Sequence, residues 1–357
     1  MAEARIATSA PSASSTASAQ RGSASTLAPI SLAQDDAWLG LIARVYGYAS
    51  VMLTTRDTAG RVTGRLPLCL MRSPLTGRRL VSLPFTDHAP LQAEDAASAA
   101  DLIALAARLA REERVRYLEL RTGPNATLAT RPDFAASDLY VRWIADLEPG
   151  ADAAWSRIKK PVQTQIKKAR KLGVQVRRAT ERADMLAYYR LHLGTRTRKH
   201  GMPAQPARYF LELWDTLAAS GQAQVFLAEH EGQTIAGLVL LAAGREAHYA
   251  YGASDERFLH LAPNNLLMWE AMAWACGAGY ATFDFGRTAR DNAGLMQFKR
   301  GWGTTMEPLT YYYSPRVAGL AATSEESRAY RLLTSGWRRL PLAVAGPLGG
   351  ALYRHLG

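Results

Sequence analysis

HYAYGAS (His248–Ser254), PNN (Pro263–Asn265), FDFGRT (Phe283–Thr288) and FKRGWG (Phe298–Gly303) form the stretch that decides the fold. A strand in a buried sheet alternates side chains between two faces, and polar groups belong on the wet one. Here Tyr249, Tyr251, Asp284, Arg287, Lys299 and Trp302 gather at the ends of segments that otherwise have core composition. Burying an unpaired polar group costs roughly 2–7 kcal/mol, so this clustering predicts a cleft where strand ends meet and hold a negatively charged substrate. Tyr249 and Tyr251, two apart on one strand, are expected to point the same way.

Working outward, the same order of elements is legible twice. In the first half a helix (35–46) precedes strands at 50–55, 63–71 and 79–84. A polar loop, Thr86-Asp87-His88-Ala89-Pro90, then leads to an Ala- and Leu-rich helix (93–113) and a strand (117–121). In the second half a basic helix (155–172), a strand (174–179) and helices at 184–200 and 207–220 open the layout. Strands at 225–229, 235–242 and 247–254, a helix (264–277) and a strand (281–285) complete it. Turn glycines and β-preferring runs mark the strands, and Leu266, Leu267, Trp269, Met272, Ala273 and Cys276 recur at helical spacing. The pattern predicts an α/β protein of two tandem domains, 31–150 and 151–315, joined near Glu148-Pro149-Gly150. An Ala/Ser/Thr-rich disordered tail (1–30) precedes them, and a C-terminal helical tail (316–357) follows.

The 357 residues carry a formal net charge of +12, which favours an anionic partner, though a basic solvated surface accounts for it equally. From Ala153 to Thr180 there are nine Lys or Arg and no acid, with Lys160, Lys167, Lys168 and Lys171 on one helical side. That side suits phosphates of a tRNA, a lipid-linked diphosphate or an anionic leaflet. The two cysteines, Cys69 and Cys276, have no metal-ligand or disulfide spacing, so no metal is expected and a reducing, cytoplasmic setting is. Residues 1–30 lack the apolar core of a signal peptide, and no apolar run reaches the length of a span. Trp337, Arg338 and Arg339 leave two alternatives for the C-terminal tail: the inner face of a membrane, or packing on the body of the protein.

These motifs carry a family resemblance. LPFTDHAPL (Leu83–Leu91), the basic segment from Trp155 to Val174, HLGTRTRKHGMP (His192–Pro203), HYAYGAS, APNNLLMWEAM (Ala262–Met272), FDFGRT and FKRGWG occur in the order and spacing of a known group. Over about Asp35–Pro315 the chain resembles the FemAB-type, peptidoglycan bridge-forming branch of the GNAT acyltransferase superfamily. The resemblance implies two GNAT-like (acyl-CoA N-acyltransferase-like) domains with mixed, mostly antiparallel sheets flanked by helices, here without a long helical arm. It implies an enzyme that joins an amino acid or other acyl group to an amine of a phosphorylated envelope precursor. Aminoacyl-tRNA is then the expected donor and no cofactor is tightly bound. An acyl-CoA-dependent N-acyltransferase on an amino sugar or polysaccharide precursor, and a non-enzymatic module for anionic lipid or RNA, stay open.

Amide formation needs a neutral amine, a stabilised oxyanion and a protonated leaving group. No Ser/His/Asp or Cys/His arrangement stands out, so direct transfer is expected. By resemblance, Lys299 faces the reacting carbonyl or the acceptor's phosphate, and Arg196, Arg198 and His200 of TRTRKHG contribute to acceptor binding. From the residues themselves, Arg287 is a bidentate grip for an anion, and Asp284 is a structural partner for Arg287 or Arg290. Asp87 and His88 form an acid/base pair or a turn. Tyr249, Tyr251, Asn265 and Trp302 are candidates for substrate contact. The stretch Arg257–Asn265 contains no glycine, which argues against a conventional phosphate-cradling CoA loop.

Overall fold

The structure, a computed structural model, describes residues 2–7, 31–315 and 334–355. The chain divides into two compact units: everything up to Ser137 together with a short return from Thr310, and Asp138–Leu309 together with the C-terminal segment.

In the first unit, helix Asp36–Tyr46 starts on Asp35, whose carboxylate accepts from the Ala37 N–H at 2.7 Å. Strands Ala49–Arg56, Val62–Ser73 and Gly77–Val81 form an antiparallel meander. Helix Ala96–Glu112, capped by Asp95 on the Ser98 N–H at 2.7 Å, then returns the chain to Tyr117–Leu120, parallel to Gly77–Val81. A crossover helix is needed because parallel neighbours cannot be joined by a tight turn. Leu53, Leu66, Leu80, Leu102, Ile103 and Leu118 fill the space between helix and sheet. The tail expected to be disordered contributes Ala2–Ala7 as a strand antiparallel to Ala49–Arg56, because an open sheet edge offers unpaired backbone groups. Residues 8–30 lie outside the described residues.

The second unit repeats this plan. Strands Ala223–His230, Gln233–Ala243 and Glu246–Ser254 form the meander. Helix Pro263–Gly277 crosses over, and Thr282–Ala289 lies parallel to Glu246–Ser254. Leu238, Leu240, Leu266, Trp269, Met272, Phe283, Phe285 and Trp302 build the core on one sheet face. The expected domain boundary near 150 falls instead at 137/138. Asp146 belongs to a strand, Ala135–Asp146, that pairs with Thr282–Ala289, so Glu148-Pro149-Gly150 is a turn inside the second unit.

Three predicted helices are broken, the one expected over 207–220 being α in Ala207–Leu213 and π in Trp214–Ala218. The basic helix is two helices, Ala151–Arg157 and Lys160–Lys171, with Ile158 and Lys159 extended between them. Pro161 has no N–H to continue the first helix, and its fixed φ suits the first turn of the second. The helix expected over 184–200 is α only in Arg182–Gly194 and then widens to a π turn, Thr195–Lys199. The Thr195 hydroxyl bonds both the N–H and the carbonyl of Ser254 at 3.2 Å. Arg196 donates twice to the Pro203 carbonyl, and these tethers hold the turn open. The helix-like run at 325–333 lies outside the described residues. The tail that follows contains helix Leu342–Tyr353.

Asp184 anchors helix Arg182–Gly194. It accepts from Arg177 at 2.7 and 3.0 Å and from the Thr180 N–H at 2.8 Å. The hydrogen bonds from Arg177 outweigh burial and lower its carboxyl from 3.8 to about 2. A depressed acid contributes stability that is full above its unfolded value and is lost as pH falls through its folded value. Asp184→Asn should therefore cost about 1–2 kcal/mol at pH 7, allowing for the solvent around Arg177. It should cost nothing below pH ~2; urea unfolding at the two pH values checks this.

Candidate active site

The parallel ladder between Glu246–Ser254 and Thr282–Ala289 runs over three pairs, ending at His248 opposite Asp284. From there each strand follows its other neighbour. Tyr249–Ser254 stays with Gln233–Ala243, while Arg287–Ala289 pairs with Ala135–Asp146. Residues 248–252, mid-sheet by position, are all half-buried rather than sealed. The parallel pairing thus stops at His248 and Asp284, and the strands part beyond them.

Two bulges lie where the strands part. On Glu246–Ser254, Tyr249 pairs with Leu240 and Tyr251 with the adjacent Val239, so Ala250 is the extra residue. A bulge reverses the alternation beyond it. Tyr249 and Tyr251 therefore lie on opposite faces, contrary to the expectation that they share one. Tyr249 packs on the core beneath helix Pro263–Gly277, and burial pushes its phenol up to about 12. Its ring lies across Gly252, where a Cβ would meet Tyr249 Oη at 1.9 Å, so only glycine fits. Tyr251 shares a 2.7 Å hydrogen bond with Tyr209 and packs against Phe210 and His192.

The second bulge sits on Thr282–Ala289, where Phe285 and Gly286 together oppose Trp143. Gly286 takes φ 73, the left-handed conformation such a bulge requires. The Asp284 carboxylate accepts from the Gly286 N–H at 2.7 Å. Lys299, 4% exposed, donates to the Gly286 carbonyl at 2.8 Å and the Arg287 carbonyl at 3.0 Å. The ammonium expected at the mouth of a cleft is thus inside, on the backbone, where it holds the bulge. Trp302, also expected at the cleft, is core: 1% exposed and packed at a tilt on Phe285, ring centres 5.8 Å apart.

Asp284 pairs with neither Arg287 nor Arg290. Its Oδ2 faces His248 Nδ1 at 3.4 Å and Arg142 at 3.7 Å. Burial raises its carboxyl, but the His248 hydrogen bond, the His248 and Arg142 charges and the Gly286 N–H outweigh it, leaving the group below the usual carboxylate range. Arg142 also meets Glu246 at 3.4 Å and Glu307 at 2.9 Å. Burial and the charge on Asp284 push Glu246 up against the pull of Arg142. His248, Arg142, Glu246 and Glu307 were not among the residues singled out from sequence. The period-2 run Val141, Trp143, Ala145 would have revealed the strand that carries Arg142.

Arg287 is exposed, with its guanidinium 4.7 Å over the Tyr140 ring. Arg290 donates to the Asp138 carbonyl. Arg196 is spent on Pro203, whereas Arg198, Lys199 and His200 are exposed. Desolvation and the charges of Arg196, Lys199 and Arg338 lower His200. Asn265 is half-buried in the first turn of helix Pro263–Gly277. A groove of about 510 Å³ lined by Thr180, Trp214, Asp215 and Val225 holds none of these groups.

Asp87 and His88 belong to the first unit. The Asp87 carbonyl accepts from Tyr311 Oη at 2.7 Å, and His88 Nε2 lies 3.1 Å from the Thr122 carbonyl. Their loop contains Leu83 at φ 55 and Phe85 at φ 66, rare values for residues with a Cβ. Arg121 holds it, donating to the Thr86 carbonyl at 2.8 Å while paired with Glu119 at 2.7 Å.

Residues 156–300 match the acetyltransferase (GNAT) domain. A stretch of 83 residues is 39% identical to the lipid II:glycine glycyltransferase of Staphylococcus epidermidis, covering 22% of this chain and 20% of that protein. The Staphylococcus aureus protein of the same name matches at the same identity, covering 21% and 20%. The matched segment thus spans about a fifth of the length of the curated relatives. A crystal structure of FemX superposes with a TM-score of 0.64 at 17% identity, over 79% of this chain and 92% of that one. L-PGS from Bacillus licheniformis does so at 0.55 and 12%, over 85% and 92%. The fold is that of the GNAT acyltransferases. Together with the local sequence match, it makes the chain similar to the FemAB-type branch.

Lys299→Met should leave the Gly286 carbonyl, and the partly buried Arg287 carbonyl, without this donor, at about 1–3 kcal/mol. A lowered melting temperature, with slowed urea refolding tracking the same loss, is the expected result. An unchanged melting temperature with turnover abolished would return Lys299 to direct chemistry.

Proposed function

We propose that the chain transfers an acyl group, most readily an aminoacyl group from aminoacyl-tRNA, to an amine of a phosphorylated cell-envelope precursor. The reading rests on the His248–Asp284 pair at the point where two parallel strands part. Asp284 holds the ring through Nδ1; the acceptor ammonium first gives one proton to solvent, and Nε2 would take a second from the nitrogen as the neutral amine attacks. The amine nitrogen then bonds to the ester carbonyl carbon. The oxyanion collapses, the carbon–oxygen bond breaks, and the leaving hydroxyl takes up the proton His248 received. Both the new amide and the released alcohol are neutral at the reacting atoms, so no co-reactant is needed. A base in this role contributes about 10²–10⁴ in rate.

Arg287 offers a planar, exposed fork for a phosphate of either substrate, and its stacking on Tyr140 limits the freedom lost on binding. The basic helix Lys160–Lys171, with Lys160, Lys167, Lys168 and Lys171 exposed, supports a polyanionic donor. Acyl-CoA is the second reading, supported by the GNAT domain match. Against it stands the segment before helix Pro263–Gly277, where Ala262 is the N-cap without a side-chain bond and no glycine precedes it.

The test incubates the chain with charged tRNA or acyl-CoA and candidate envelope amines, with products read by mass spectrometry. Product from charged tRNA supports the first reading, and product from acyl-CoA alone supports the second. His248→Gln should lower kcat by about 10²–10⁴ with KM and melting temperature little changed. Full turnover in that variant would remove the dyad from the reaction.

A further inference from the structure

Between Arg339 and Arg354 the chain holds fourteen residues without a charge, and the Tyr353 hydroxyl is their sole side-chain hydrogen-bonding group. Most of them form helix Leu342–Tyr353. Its inner side is small and close-packed. A Cβ on Gly346 would sit 3.4 Å from Leu193, one on Gly349 would sit 3.1 Å from the Ala204 N, and one on Gly350 would sit 2.9 Å from Pro206. Glycine there lets the helix backbone rest directly on helix Arg182–Gly194 and on the loop that follows the π turn.

Its outer side carries Ala343, Val344, Pro347, Leu348 and Ala351, all exposed, with Val344 at 49% and Leu348 at 42%. These positions recur at three- and four-residue spacing and form one stripe. A water-facing helix surface ordinarily carries charge there, and a contiguous apolar one marks a contact. Arg338 and Arg339 flank the stripe at one end and Arg354 at the other, all exposed, and no acid occurs from 334 to 357. Thr334 and Arg338 lie against Gly201, which brings this segment beside exposed Arg198 and Lys199.

We propose that this stripe docks in the headgroup region of an anionic lipid bilayer. Twelve residues extend about 18 Å, well short of the roughly 30 Å of a hydrocarbon core, and no described helix is long and apolar enough to cross a membrane. The helix therefore lies in the plane of the surface, apolar side down, with the arginines at phosphate level. A second copy of the chain is a poor occupant. Two-fold pairing of the stripes would bring arginines of both copies together with no acid on either segment to answer them.

The test sediments the full chain with vesicles of phosphatidylcholine alone or mixed with phosphatidylglycerol. The wild type is expected to bind the mixed vesicles. V344E/L348E, at two exposed positions, should keep its melting temperature and bind about tenfold more weakly or worse. R338Q/R339Q/R354Q should lose the preference for the anionic lipid. Undiminished binding by V344E/L348E, no binding by the wild type, or a change of oligomeric state without a change in vesicle binding would overturn the proposal. It stands apart from the proposed reaction. V344E/L348E should still turn over a water-soluble amine, and vesicle binding by a chain with no transferase activity would refute only the reaction.

Discussion

A buried ammonium on two backbone carbonyls is the constraint on which the second unit turns. Lys299 holds the carbonyls of Gly286 and Arg287, and the Asp284 carboxylate takes the Gly286 N–H from the other side. A bulge leaves backbone groups without ladder partners. Here a cation and an anion supply them, and each is too costly to bury without such partners. Thr282–Ala289 pairs with Ala135–Asp146 on both sides of the kink they hold, whereas its pairing with Glu246–Ser254 ends at Asp284, just before it. Lys299 shapes that strand from within.

The same geometry explains why the acidic cluster around Arg142 is tolerable. Three carboxylates, Glu246, Asp284 and Glu307, lie within 3.7 Å of one guanidinium. Arg142 cannot neutralise all three. The deficit falls unevenly: Asp284, most deeply buried and best bonded, keeps its charge, while Glu246 is pushed toward the protonated form. A histidine beside an ionised acid, on a rim half open to solvent, is an arrangement suited to moving a proton.

The repeated plan was legible because it is written in local signals: turn glycines, apolar runs of strand length and amphipathic helices. The order of motifs likewise carried the family resemblance. The site was less legible, because its parts depend on register. One inserted residue, Ala250, sends Tyr251 to the face opposite Tyr249, and no property of alanine announces a bulge. Lys299 and Trp302 look alike in sequence to exposed residues of a glycine-bounded loop, yet a helix, Ala293–Arg300, turns Lys299 inward. Arg142 was missed with its strand, whose outer half, Ser137 to Tyr140, is polar enough to pass for a loop.

The strand Thr305–Ser314 has a consequence for biosynthesis. Its residues from 310 onward belong to the first unit, where Tyr312 pairs with Leu120 and bonds Asn125. A ribosome that has released residues 1–137 has therefore exposed a sheet with its last position vacant, and most of the second unit must be translated before the missing strand emerges. Contacts so distant along the chain form slowly. Until then the nascent first unit presents the open edge of Tyr117–Leu120 to any extended chain nearby.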